Sequence, residues 1–108
     1  MPQLTFKGIK RQSVIDMSKE LIDELQTIIN VPREHFALEH VDSMYIMDGR
    51  EAPEYPLIYV NLFDRGSEAE HMVAKAITKH VHHAGYQNVD VIFTILERSR
   101  YYENGERF

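Results

Sequence analysis

The residues of this chain best equipped for chemistry are a run of histidines, a Glu-His pair inside an apolar stretch, and arginines beside turns. His80, His82 and His83, with His71 upstream, invite comparison with a metal site. On a helix only His80 and His83 share a face, and no acidic residue lies one turn from both. His80 falls beside Ile77, Val81 and Ala84, so it reads as a satisfied, half-buried histidine, and no metal is expected. The chain has no cysteine, which removes thiolate ligands, thiolate nucleophiles and disulfides. Glu39 and His40 are adjacent in a strand and point to opposite faces, so they form no dyad. A carboxylate there needs a partner, and an ion pair at a subunit boundary is the simplest one.

Asp64-Arg65-Gly66-Ser67 is a turn feeding a helix. Free N–H groups and the dipole at such a start attract a carboxylate, and Arg65 can add a bidentate pair. Arg65 reads equally well as a solvated turn charge bonded to Asp64. Arg98 and Arg100, alternating with Ser99, either reach a substrate acid or are solvated strand-end charges. The net charge of −5 comes with no basic block, so the footprint of a nucleic-acid binder is missing. The first residues contain neither a signal peptide nor a membrane span. A cytoplasmic protein is expected, in keeping with the cysteine-free composition.

The elements that must position these residues follow from periodicity. Pro2 to Lys7 alternate, with Leu4 and Phe6 on one face, which predicts a half-buried strand closed by Gly8. Val14, Met17, Leu21, Leu25 and Ile28 recur at three and four residues after Ser13-Val14-Ile15-Asp16, a short capping box, and predict a helix ending near Asn30, before Pro32. His35 to Met47 reads as extended, closed by Asp48-Gly49. The order then repeats. Leu57 to Phe63 is a strand, Ser67-Glu68-Ala69-Glu70 a full capping box, and Val73, Ile77, Val81 and Ala84 a helix face stopped by Gly85. Val89 to Leu96 is a further strand, and Tyr101 to Gly105 reaches another turn.

At an offset of 56 residues Gly49 meets Gly105, Tyr45 meets Tyr101, Met17 meets Val73, Leu21 meets Ile77 and Phe6 meets Leu62. Ser13 and Ser67 break that offset, which predicts a first strand-helix loop two residues longer than the second. The chain is read as one domain, 1–108, with an internal repeat of 1–52 and 57–108. Each β-α-β unit needs parallel strands and a right-handed crossover. The expected fold is α+β: duplicated β-α-β units in a four-stranded mixed sheet, two helices on one face. Its other face would carry Gln3, Thr5, Lys7, Tyr59, Asn61 and Phe63. Exposed Tyr59 and Phe63, with Tyr101, Tyr102 and Phe108 near a charged tail, predict docking on neighbouring chains. A homotrimer would cover them, with Gln3, Thr5 and Asn61 lining a wet central channel.

A proline directly after Met1, a β-α-β unit of this length and its duplication together resemble the tautomerase superfamily, in its long-chain branch typified by macrophage migration inhibitory factor. The stretch Val31-Pro32-Arg33-Glu34-His35-Phe36-Ala37-Leu38 is similar to the segment entering that branch's second strand. The resemblance implies that Met1 is removed and that Pro2 becomes a free secondary amine. A free α-amine titrates at about 7.7 to 8, and burial beside a cation lowers it, so Pro2 would act as general base. In that fold the first strands of the two halves lie antiparallel at the sheet centre. Pro2 then comes beside Arg65 and Ser67, the expected substrate-binding pair.

The implied activity is keto-enol proton transfer on a small carboxylate, with no cofactor. Hydration or dehalogenation of an acrylate-like acid is the neighbouring variant, with Glu97 a positional candidate to activate water. Cations that relatives carry at the positions of Val31 and Ala37 are absent, and Arg11 falls at the opposite, proline-free end. Two other readings stay open. Pro2 suits an edge strand as a stiff first residue, and a ferredoxin-like regulatory dimer that binds a small molecule or protein without catalysis has the same order of elements.

Overall fold

The computed structural model describes all 108 residues, Met1–Phe108. Four strands form the main sheet: β1 (Gln3–Lys7), β2 (Ala37–His40), β5 (Leu57–Phe63) and β6 (Asp90–Leu96), in the order β2-β1-β5-β6. Both outer pairings are parallel and the central β1–β5 pairing is antiparallel. β1 is therefore an inner strand, and Pro2 does not begin an edge. Two helices, α1 (Arg11–Ile29) and α2 (Ser67–His83), pack on each other and on the sheet face carrying Leu4, Phe6, Ile58, Val60 and Leu62, which are all buried. Val14, Met17, Leu21, Leu25 and Ile29 from α1 meet Val73, Ala76, Ile77 and Val81 from α2 in that core. Burying one such side chain contributes about 1.5–3 kcal/mol.

The helix starts differ from the capping boxes expected at Ser13 and Ser67, neither of which forms. α1 opens three residues before Val14, at Arg11, with Lys10 as its cap. Lys10 uses no side chain; its amide donates to the Tyr86 hydroxyl at 2.9 Å. A tertiary contact has replaced a local one. At α2 the cap is Gly66, held in the left-handed region at φ 86°, and Asp64 Oδ1 accepts its amide at 2.8 Å. The two helices thus start 56 residues apart, at Arg11 and Ser67, so the first strand-helix loop is not the longer one. α1 ends as expected, at a left-handed Asn30 whose amide donates to the Gln26 carbonyl at 2.8 Å.

The extended run expected from His35 to Met47 is broken. A 3-10 turn covers Arg33–His35, β2 stops at His40, and a separate hairpin follows, β3 (Tyr45–Met47) and β4 (Arg50–Ala52). Its turn holds Asp48 and Gly49 at φ 54° and 76°, the two left-handed residues a tight hairpin demands. A second hairpin, β7 (Tyr102–Glu103) and β8 (Glu106–Arg107), turns at Asn104 and Gly105, also left-handed.

That second hairpin corrects the reading of the aromatic tail. Phe63 is buried by its own chain: its ring lies 5.2 Å from that of Phe108, nearly parallel, and 5.3 Å from that of Tyr101, edge to face. Each such pair is worth about 0.5–1.5 kcal/mol. Tyr102 stays exposed, beneath the Arg107 guanidinium. The rest of the open sheet face is mixed, with half-exposed polar groups on β1 and β5 and an exposed Ile92 on β6 opposite Tyr59. Asn61 donates to Gln3 Oε1, Thr5 donates to Glu39 Oε1, and Lys7 lies over the Tyr59 ring at 5.3 Å. No helix is long and apolar enough to cross a membrane.

Candidate active site

Pro2 is buried at the start of inner strand β1, where its carbonyl accepts the Ala37 amide at 3.0 Å. The antiparallel register sets Gln3 opposite Asn61, so the residues before it run alongside Leu62 and Phe63. The parallel register sets Phe63 opposite Leu96. Arg65 and Arg98 each stand two residues beyond that last pair, at the end of the sheet where the chain begins. The α-amine of Met1 feels the charge of both. Its pKa is held below the ordinary value, first by burial and then by the positive charges of Arg65 and Arg98. This environment disfavours a protonated amine.

Arg65 is exposed and tied to the scaffold by one hydrogen bond, Nη1 donating to the Ile29 carbonyl at the end of α1, at 3.4 Å. It is not bonded to Asp64, whose carboxylate serves the Gly66 amide. Arg98 has a different mooring: its guanidinium carbon lies 4.9 Å from the Phe63 ring centre and 5.3 Å from that of Phe108. Ser67 is the exposed first residue of α2, and its hydroxyl makes no capping bond. Glu68 and Glu70 occupy the same first turn and already answer the helix dipole.

For Arg98 the sequence leaves open a reach to a substrate acid or a solvated strand-end charge, and the structure sets it at the Pro2 end. The register of β5 with β6 locates it, because pairing 63 with 96 brings residues 65 and 98 to the same end of the sheet. Its neighbours do not join the site. Glu97, the positional candidate for activating water, accepts Arg100 Nε at 3.2 Å. Arg11 lies at the far end of the sheet, in a cleft with Gly8, His40, Asp42, Ser43 and Glu54.

The other candidates found structural partners within the chain. Glu39 is exposed and accepts the Thr5 hydroxyl at 3.3 Å, while His40 Nε2 lies 2.8 Å from the Ile9 carbonyl. The acidic partner of His80 comes from the other helix: Glu24 Oε1 lies 3.0 Å from His80 Nε2 and 2.7 Å from Lys79 Nζ. The Glu24 carboxyl is held below its usual range, chiefly by the Lys79 hydrogen bond and then by that of His80.

The fold is shared with proteins of several kinds. A crystal structure of a DUF1904 domain from Sebaldella termitidis is 32% identical, with full coverage of both chains and a TM-score of 0.93. A protein of unknown function from Vibrio cholerae is 26% identical over 99% of this chain and 87% of its own, with a TM-score of 0.87. Two more distant structures share the fold alone. A macrophage migration inhibitory factor-like protein from Entamoeba histolytica is 15% identical over 99% and 96% of the two chains, TM-score 0.70. A fused 4-OT solved as an asymmetric trimer is 13% identical over 97% and 94%, TM-score 0.79. A search of curated proteins finds no match. The strand arrangement is thus the tautomerase one and not the ferredoxin-like alternative. A family model, "Domain of unknown function (DUF1904)", matches residues 1–107, and the chain belongs to that family, built on the tautomerase fold.

Proposed function

We propose that this chain, with Met1 removed, is a tautomerase-type enzyme that moves a proton between the enol and keto forms of a small 2-keto carboxylate. The observation that carries the reading is the buried Pro2 at the start of an inner strand, at the sheet end where Arg65 and Arg98 follow β5 and β6; the Met1 amine at that end is already held below its ordinary pKa, first by burial and then by those two arginines. Removing Met1 puts the Pro2 nitrogen at the terminus, as a rigid secondary amine. The neutral nitrogen takes the enol hydroxyl proton, and the ammonium so formed returns a proton to carbon 3, so no atom is gained or lost. Arg65 holds the carboxylate, and its charge stabilises the oxyanion that develops during transfer. Ser67 and the α2 N-terminus border the carboxylate side. No metal or organic cofactor enters this chemistry.

A homotrimer is the assembly we infer. The fused 4-OT of the same fold is a trimer, and the open sheet face here presents half-exposed Gln3, Thr5, Lys7, Tyr59 and Asn61 together with the exposed Ile92. Met44, Ile46 and Met47 of the first hairpin are also exposed. A cytoplasmic location fits a cysteine-free chain.

One observation favours binding without catalysis. While Met1 is attached, the Pro2 nitrogen is an amide with no basic lone pair, and what remains is Arg65 on the Ile29 carbonyl and Arg98 against two aromatic rings. The test is ketonisation of an enol-pyruvate by protein whose intact mass lacks Met1, against protein that keeps it. Turnover confined to the Met1-free form supports the enzyme. Carboxylate binding by both forms, with turnover by neither, supports the binder.

A further inference from the structure

Arg33 is paired with Asp23, and Arg100 with Glu97. Arg98 has no carboxylate partner; two aromatic rings hold it instead. Ring faces attract a guanidinium while leaving its N–H donors free. Those donors are available to an anion at the Pro2 end. Of the two rings, Phe63 is buried in the fold, whereas Phe108 is a residue of the tail and is 43% exposed. The Phe108 amide donates to the Tyr101 carbonyl at 2.8 Å, and its ring meets that of Tyr101 edge to face at 5.0 Å. The tail is thus folded back so that one aromatic face meets Arg98.

We propose that Phe108 is a positioning residue, which with Phe63 holds the Arg98 guanidinium at the Pro2 end as a second seat for the anionic group of a substrate. The role in substrate binding rests on the tautomerase reading above; the placement of the arginine does not. Two properties follow. Loss of the Phe108 ring face weakens substrate capture while leaving the proton transfer at Pro2 in place. It also relieves the terminal amine of a nearby positive charge, so the amine titrates closer to its ordinary value.

The experiment compares Phe108→Leu, which keeps apolar bulk without a ring, with Phe108→Tyr, which keeps the ring. Each is made in Met1-free protein, alone and combined with Arg98→Gln. The readouts are KM and kcat on an enol-pyruvate, and titration of the amine followed by NMR with 15N-labelled proline. Phe108→Leu should raise KM about two- to fivefold, as expected for loss of one cation–ring contact, and should move the amine titration upward. Phe108→Tyr should match the parent, and in the Arg98→Gln background Phe108→Leu should add nothing. The proposal is overturned by an unchanged amine titration in Phe108→Leu, by Tyr behaving as Leu does, or by an effect that persists without Arg98. An absence of turnover with the expected shifts in titration would sink the tautomerase reading and leave the placement of Arg98 standing. Turnover that needs Pro2, with titration indifferent to Phe108, would do the reverse.

Discussion

Residues 56 apart occupy matching places at the two ends of the sheet, and the substituents differ at almost every one. At the Pro2 end, Arg65 and Arg98 flank a terminal amine, beside Phe63, Tyr101 and Phe108. Their counterparts at the far end are Ile9, Asp42, Lys7, Tyr45 and Ala52. There the chain runs on through Tyr55 and Pro56 into β5, so no amine exists. Its place is closed by the Tyr45 hydroxyl, which donates to the Tyr55 carbonyl at 2.5 Å, and by Gly8 packed against that same carbonyl. The Tyr45 hydroxyl is held above its ordinary pKa, first by burial and then by Tyr59 and Glu54, so it stays a donor. One framework thus carries an end where two arginines stand near a chain terminus and an end closed by a tyrosine and a glycine. The difference lies in cations and a free terminus rather than in topology.

The largest effect should come from blocking the amine. Protein that retains Met1 should ketonise an enol-pyruvate at least about 10²-fold more slowly than the processed form, the usual weight of a positioned general base. Pro2→Ala, which keeps a primary amine without the rigid ring, should lower kcat by less than that and change KM little. Next is Gly8→Ala at the closed end. Gly8 sits at φ 73°, and an added Cβ would lie 2.1 Å from the Tyr55 carbonyl oxygen. Strain and overpacking together should cost about 2–5 kcal/mol of stability by denaturant unfolding. Gly66→Ala meets nothing within 4 Å and should cost only the backbone strain, about 1–2 kcal/mol.

Smaller effects separate the two ends further. Arg65→Ala should raise KM for the carboxylate about tenfold while kcat changes less, as expected for loss of a charge-assisted hydrogen bond. Tyr45→Phe should cost about 1 kcal/mol of stability and leave turnover at the parent value. A Tyr45→Phe variant as impaired as Arg65→Ala would abolish the distinction between a working end and a closed one.

Much of the shared framework could be read from the sequence because it rests on local periodicity. Leu4 and Phe6, the α1 stripe from Val14 to Leu25 and the α2 residues Val73, Ile77 and Val81 are all core, since alternation and 3.6-residue spacing each select one face. The two glycine turns follow from local backbone demands. What escaped was set by contacts between distant residues. Nothing near Lys10 announces that Tyr86 will cap α1, 76 positions away. Nor does the charged tail announce that Phe108 returns to Phe63. The choice between the two readings of Arg98 was open for the same reason, because the register of β5 with β6 is what brings it to the end of the sheet that holds Arg65.

The pH dependence of kcat/KM for enol-pyruvate ketonisation by Met1-free protein tests most directly whether the Pro2 end is an active site. Placed in the surroundings that lower the Met1 amine, the Pro2 amine should lose its proton below the ordinary α-amine range. A general base works only when unprotonated, so the rate should rise with pH through that lowered value, and NMR titration of the Pro2 nitrogen should follow the same curve. An amine titrating at or above its ordinary value, or a rate whose pH dependence ignores the amine, would contradict the assignment of this end of the sheet as the catalytic one.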